Sequence, residues 1–239
     1  MKKQVLFIAL LTFAMAFQAI AQIIVKPSGN ITKENHEVGS FTGLDVSTDF
    51  KAFITFSNKT SVQIESDDNM HQHIKVEVEG NTLVIRQKGP INVKGRETLV
   101  AHISVPSLKY IKASGDAIVK LENKLTADEL RVSLSGDSKL DGELAVGEME
   151  AEVRGDSYLT LSGTANMLDA RVRGDSHLKS FDFKVGSLKL NLSGDSIAKL
   201  TINESMDVDI SGDSVMKYKG SPKVEHQRVR GDSELAKED

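Results

Sequence analysis

Between Leu108 and Ser233 the dipeptide Gly-Asp recurs seven times, at Gly115-Asp116, Gly136-Asp137, Gly155-Asp156, Gly174-Asp175, Gly194-Asp195, Gly212-Asp213 and Gly231-Asp232. Successive glycines lie 21, 19, 19, 20, 18 and 19 residues apart. A period this tight marks an internal structural repeat. Within each unit the apolar residues alternate. Positions two, four and six before the five middle glycines read Leu134/Val132/Leu130, Val153/Ala151/Met149, Val172/Ala170/Leu168, Leu192/Leu190/Leu188 and Ile210/Val208/Met206. The residues between them are polar, among them Arg131, Glu150, Asp169, Lys189 and Asp207. Period-two alternation predicts a strand with one buried face. A second inward position follows four residues after each glycine: Val119, Leu140, Leu159, Leu178, Ala198, Met216 and Leu235. The expected unit is strand, Ser/Arg-Gly-Asp-Ser corner, second short strand, loop.

One such unit cannot bury its own apolar stripe and must stack on copies of itself. In-register stacking predicts a column of corners about 4.8 Å apart in an array roughly 34 Å tall. An antiparallel meander with Gly-Asp hairpin turns is the competing arrangement. Equal corners at equal phase favour the solenoid.

The chain opens with Lys2 and Lys3, an apolar run from Val5 to Ala16, and Ala19-Ile20-Ala21 before Gln22. That pattern predicts a cleaved secretory signal peptide over 1–21. The apolar run is short for a membrane span, so no transmembrane span is expected in the mature chain. Gln22 is not a cysteine, so no lipid anchor is expected there. Loss of the two lysines moves the formal charge from −4 to −6, and no basic cluster suggests nucleic acid as a partner. An exported chain without cysteine has neither disulfides nor thiol chemistry. The expected location is the periplasm, the outer surface or the medium.

The remaining chain is expected to form one all-β domain over 40–239, after a mobile polar leader at 22–39. Strands are expected around Leu44–Val46, Phe50–Phe56, Ser61–Glu65 and Leu99–Val105, with a helical turn between Asp67 and Ile74. Val76–Glu79, Gly80-Asn81 and Leu83–Ile85 read as a hairpin. Arg86 to Thr98 reads as a loop, with its basic residues in solvent or, less simply, touching an anionic glycan. These N-terminal strands and hairpin over 40–105 would cap the array of 106–239.

Phe41-Thr42-Gly43-Leu44-Asp45-Val46, Ser61-Val62-Gln63-Ile64-Glu65, Ile74 to Ile85, Ile103-Ser104-Val105-Pro106-Ser107-Leu108, the serial Ser-Gly corners and Tyr218-Lys219-Gly220-Ser221-Pro222 form a series. Together they resemble the putative auto-transporter adhesin, head GIN domain family of exported bacterial proteins, over about 40–235. The resemblance implies a right-handed parallel β-helix. "Adhesin" is an analogy of fold and does not fix a function. The family's corner has a small residue where this chain carries aspartate in every repeat. Since only six residues follow Ser233, neither a translocating barrel nor a sorting domain is expected in this chain.

Arg-Gly-Asp-Ser occurs at Arg154-Gly155-Asp156, Arg173-Gly174-Asp175 and Arg230-Gly231-Asp232, each followed by serine. In animal matrix proteins this tripeptide engages integrins. Here arginine alternates with serine before the same corner, so the triplets are candidate binding sites set against a purely structural role. The corners at Gly115-Asp116, Gly136-Asp137, Gly194-Asp195 and Gly212-Asp213 carry no arginine and read as structural. Stacked aspartates about 4.8 Å apart would repel by about 0.9 kcal/mol per pair in water. Local N–H bonds to each carboxylate, neighbouring arginines or a calcium ladder could offset that repulsion. One aspartate per coil supplies few of the six to eight oxygens calcium takes, so no metal is assigned. His71, His73, His177 and His226 read as surface residues. Asn30, Asn58 and Asn203 match a glycosylation triplet of little meaning in a bacterial protein.

No catalytic constellation or cofactor is expected. Short coils leave no wall for a cleft, and the chain has no tryptophan and three tyrosines to serve as sugar platforms. The expected function is a non-catalytic, adhesin-like or cell-envelope scaffold, monomeric, with an unidentified surface, glycan or protein ligand. A polysaccharide-processing β-helix enzyme is the alternative, and integrin-type recognition the second.

Overall fold

The computed structural model describes residues 23–239. Nineteen strands and one short 3-10 helix, His71–His73, account for its regular structure. The N-terminal part contains β1 (Ile23–Val25), β2 (Ile31–His36), β3 (Gly43–Ser47), β4 (Lys51–Phe56), β5 (Ser61–Asp67), β6 (Ile74–Glu79), β7 (Thr82–Gln87), β8 (Ile91–Val93) and β9 (Leu99–Val105). The array follows as β10 (Tyr110–Gly115), β11 (Ile118–Leu121), β12 (Leu125–Gly136), β13 (Lys139–Gly155), β14 (Tyr158–Gly174), β15 (His177–Gly194) and β16 (Ile197–Gly212). It closes with β17 (Val215–Gly220), β18 (Lys223–Val229) and β19 (Glu234–Lys237).

Every pairing inside the array is parallel, which excludes the meander and makes the molecule an all-β solenoid of about seven stacked turns. The register is the one the repeat demands: Gly136 and Gly155 pair with the glycines of neighbouring coils, as do Val153 with Val172 and Leu192 with Ile210. All fifteen inward residues of the five middle repeats are buried. The expected division of each coil into two strands and a loop is replaced by one ladder running from corner to corner, 16 to 18 residues in β13–β16. Register shifts interrupt the pairing between Leu159 and Gly163 in β14, and between Ser180 and Lys184 and between Val185 and Ser187 in β15.

The N-terminal strands do more than close one end. β3 stacks in parallel between β10 and β7, and β4 between β11 and β9. Residues 41–105 therefore add coils with no visible repeat. The stack then ends in antiparallel pairings: β6 on β7 through the Gly80-Asn81 turn, β5 on β9, and β2 on β5. Antiparallel strands terminate a parallel ladder without presenting another copy of its edge.

The polar stretch 22–39 holds two strands where the sequence suggested a mobile leader. Buried Asp67 ties it down, its carboxylate accepting from the Gly29 N–H at 2.8 Å and the Thr98 N–H at 3.1 Å. β1 pairs with β8, so the basic loop also contains a strand. The signal-peptide reading of 1–21 lies outside the described residues.

Candidate functional site

The corner column is the surface the repeat builds most regularly. At Gly155, φ is +82°, and a Cβ there would sit 2.7 Å from the Gly136 carbonyl oxygen. Both the left-handed backbone and the close approach require glycine. The carbonyl of Gly136 then accepts from the Asp156 N–H at 2.9 Å and from the Ser157 hydroxyl at 2.9 Å. The pattern repeats at Ser176 to Gly155, Ser196 to Gly174, Ser214 to Gly194 and Ser233 to Gly212, between 2.8 and 2.9 Å. Ser138, Ser157, Ser176, Ser196 and Ser214 are buried.

This serine column carries the local bonding that sequence reasoning gave to aspartate. The seven carboxylates are exposed and accept no protein hydrogen bond among the described residues. The signal was present in the recurrent serine after each Gly-Asp, which stands on the inward phase.

The column also extends further than the repeat shows. Gly115 packs on the backbone of Thr48, whose φ is +68°. The register aligns Ser114 with Ser47 and Ile118 with Lys51. Thr48-Asp49-Phe50 is therefore another corner, with Asp49 in the aspartate column and buried Phe50 in the serine position. Threonine in place of glycine hid it.

The first two Arg-Gly-Asp triplets lie on adjacent coils, Arg154 beside Arg173 and Gly155 beside Gly174, while the third lies at the far end. Arg154 approaches Glu152 at 3.4 Å and Arg230 donates to Asp209 at 2.8 Å. Arg173 is exposed. The first two corners are stacked between neighbours at hydrogen-bond distance, and the third is bonded to the coil before it. The other outward positions of this face form a lattice of exposed and half-buried ion pairs, including Arg131–Glu150 at 3.6 Å, Arg171–Glu150 at 3.3 Å and Lys189–Asp169 at 3.6 Å. Each is worth little singly.

Beyond the aspartates, a shallow groove takes in Asp116, Asp137, Asp156, Ile118, Lys139 and Tyr158. Tyr158 packs on His177 with ring centroids 4.5 Å apart, and the Lys139 ammonium lies 5.3 Å over the tyrosine. Burial pushes the His177 pKa down, as does Lys179, against the opposing pull of Asp175. His226 is exposed on β18. Among the described residues no group of three or more His, Cys, Asp or Glu could hold a metal ion.

His71 is buried, contrary to the surface reading, with Nε2 3.0 Å from the Thr32 hydroxyl and Nδ1 3.6 Å from Glu34. It is covered by β2, the strand hidden within the polar leader. His36, on the same face of β2, has its pKa lowered first by burial and further by His71 and Lys88, while Glu34 acts in the opposite direction.

A different groove, of about 520 Å³, lies on the outer face of β4, β9, β5 and β2, lined by Asn35, Phe53, Thr55, Gln63, His102 and Ser104 among others. Sequence reasoning missed it because its residues come from four segments with no common spacing. The only hint was the outward phase of Phe53 and His102 on their strands.

Parallel coils, a filled core and a column of rigid corners define a β-solenoid. The chain belongs to the family described as putative auto-transporter adhesin, head GIN domain, whose model matches residues 40–222. Its fold matches the crystal structure of a putative adhesin from Bacteroides fragilis, with 25% identity and a TM-score of 0.82 over 90% of this chain and 100% of that one. A putative adhesin from Parabacteroides distasonis is similar at 19% identity and a TM-score of 0.73, covering 89% of this chain and 99% of that one. A putative lipid binding protein from the same species shares the fold at 16% identity and a TM-score of 0.66, covering 90% of this chain and 100% of that one. No curated protein matches the chain. No helix among the described residues is long and apolar enough to cross a membrane.

Proposed function

We propose that this protein is an exported, non-catalytic scaffold of the cell envelope that binds a surface ligand in the manner of an adhesin. The observation that carries the reading is the stacking itself. Corner after corner is fixed to its neighbour by bonds near 2.9 Å, so the exterior is a rigid, extended surface suited to many weak contacts at once. The family description supports the same reading. The filled interior, with core residues such as Leu134, Val172 and Ile210 fully buried, is a packed core and not a lipid channel.

The test is capture by the immobilised protein from envelope and host-matrix extracts, alongside incubation with uronate and neutral glycans. Retention of a specific envelope or matrix component without new reducing ends is expected. Turnover abolished by replacing one acidic residue would overturn the non-catalytic assignment. Selective capture of integrins lost in Asp156→Asn/Asp175→Asn would move the function to the Arg-Gly-Asp corners.

A further inference from the structure

The groove on β4, β9, β5 and β2 is chemically unlike the rest of the exterior. The strand register places Phe53, His102, Gln63 and Asn35 side by side across four strands. The next row holds Thr55, Ser104 and Ser61. Neighbours within a row are about 4.8 Å apart, and the rows about 6.8 Å apart. An aromatic and amide row thus runs beside a row of hydroxyls.

Within the first row Phe53 and His102 stack, with centroids 5.6 Å apart and planes within 17°. Gln63 Nε2 donates to Asn35 Oδ1 at 2.8 Å. That bond orients both amides and leaves Gln63 Oε1 and Asn35 Nδ2 without a protein partner among the described residues. Ser104 is held by the Ser57 hydroxyl at 2.7 Å, while the hydroxyls of Thr55 and Ser61 have no protein partner among the described residues. The groove therefore offers fixed acceptors and donors next to an aromatic surface.

Its composition selects the ligand class. No lysine or arginine lines it; Lys120, beside Phe53 in the strand register, faces Glu122 at 3.6 Å, and His102 Nε2 lies 3.5 Å from Glu65, so no unpaired cation is offered to a phosphate or uronate. Among its lining residues Phe53 alone presents a large apolar side chain, since Ile103 is buried in the core, and this is too little to hold an acyl chain. A peptide cannot add as a strand across the groove floor, because β4, β9 and β5 are each paired on both sides, and the open edge of β2 lies at its margin. What matches is a molecule with one apolar face and a rim of hydroxyls. The volume of about 520 Å³ is within the small-ligand range.

We propose that this groove is a binding site for a neutral glycan, with Phe53 and His102 as the platform and Gln63, Asn35, Thr55 and Ser104 as the hydrogen-bonding rim. The proposal rests on the binding-protein reading above and names the ligand class of one surface.

The test is titration of the purified protein with cellobiose, lactose and N,N′-diacetylchitobiose, followed by amide chemical shifts, with trigalacturonate as the charged comparator. At least one neutral disaccharide is expected to shift the amides of Phe53, Gln63 and His102 saturably. Phe53→Ala and Gln63→Ala should each weaken that binding about tenfold. Both side chains are on the outward phase, and Gln63→Ala supplies a variant that removes no aromatic packing. Tyr158→Ala, on the corner groove, should leave it unchanged. Absence of groove shifts with all three sugars, or stronger binding of trigalacturonate, would overturn the proposal. Envelope capture that persists unchanged in Phe53→Ala while no sugar binds would remove the groove and leave the binding-protein reading standing. Saturable sugar shifts without any envelope capture would keep the groove and remove the broader reading.

Discussion

The array of 108–233 and the coils of 41–105 solve the same stacking problem by different means. In the array, each corner is a glycine at positive φ, and from Gly155 onward a serine two residues later donates to the glycine carbonyl below. The inward side chains there include small ones, Ala151, Ala170 and Ala198. At the N-terminal corner Thr48 takes the same backbone conformation, and the serine's place is filled by Phe50, fully buried among Leu44, Val46 and Ile54. One region uses a repeated hydrogen bond and the other uses apolar bulk. The difference reaches the outer face. Repetition produces columns of like residues, matched here by ion pairs, whereas the non-repetitive coils can assemble unlike groups into a groove.

The largest effect should come from putting a charge into the repeated core. Val172→Asp leaves a carboxylate with no partner between Leu192 and Val153, and a loss of at least about 3 kcal/mol is expected in denaturant unfolding. Asp169→Asn, on the outward phase of the same strand, should cost less than about 1 kcal/mol. Equal damage from the two would break the inside-outside assignment.

The corners should respond with opposite signs. Gly155→Ala forces a Cβ toward the Gly136 oxygen at positive φ and should destabilise by about 2 kcal/mol. Thr48→Gly relieves a β-branched residue of the left-handed region and should stabilise by up to about 1 kcal/mol. Thermal melts of both variants decide this. Destabilisation by Thr48→Gly would mean that the two corners are not equivalent.

The solenoid was legible because repetition multiplies a weak signal: fifteen apolar residues at one phase leave little freedom. The N-terminal coils were legible only as strands. Their stacking partners are distant, Asp45 beside Lys112 and Lys51 beside Ile118, and neither alternation nor spacing encodes such long-range pairing. β2 was hidden because its exposed residues Lys33, Glu34 and Asn35 give it the polarity of a leader, and what orders it is its antiparallel pairing with β5, together with the Gly29 N–H donating to buried Asp67 just before it. The aspartate column was visible, but its role was assigned to the carboxylate when the neighbouring serine does the bonding.

Smaller again is the serine contribution. Ser176→Ala removes a hydroxyl that donates to the Gly155 carbonyl at 2.9 Å and should cost about 1 kcal/mol. Ala117→Ser, at the one array corner without this serine, should be near neutral. Comparable losses at both positions would show that the hydroxyl's bond is not what matters.

The smallest effect concerns acid. Burial lowers the His36 pKa below its unfolded value. The unfolded chain therefore binds the proton more readily, and the stability from this group is present above the unfolded pKa and lost as pH falls through the folded pKa. The midpoint of unfolding should fall between pH 7.5 and more acidic buffer, and His36→Gln should shrink that fall slightly. An unchanged pH dependence would remove β2's histidine from the account.

Thr48-Asp49 belongs to the same column as the Gly-Asp corners. The Cα atoms of Asp49 and Asp116 are then one coil apart, about 4.8 Å, within the reach of a disulfide. The chain has no cysteine of its own to interfere. Asp49→Cys/Asp116→Cys should therefore close a cross-link under mild oxidation with no change in the β-sheet circular dichroism, while Asp49→Cys/Asp195→Cys should not. Failure of the first pair to cross-link in folded protein, or efficient linking of the second, would contradict the stacking described.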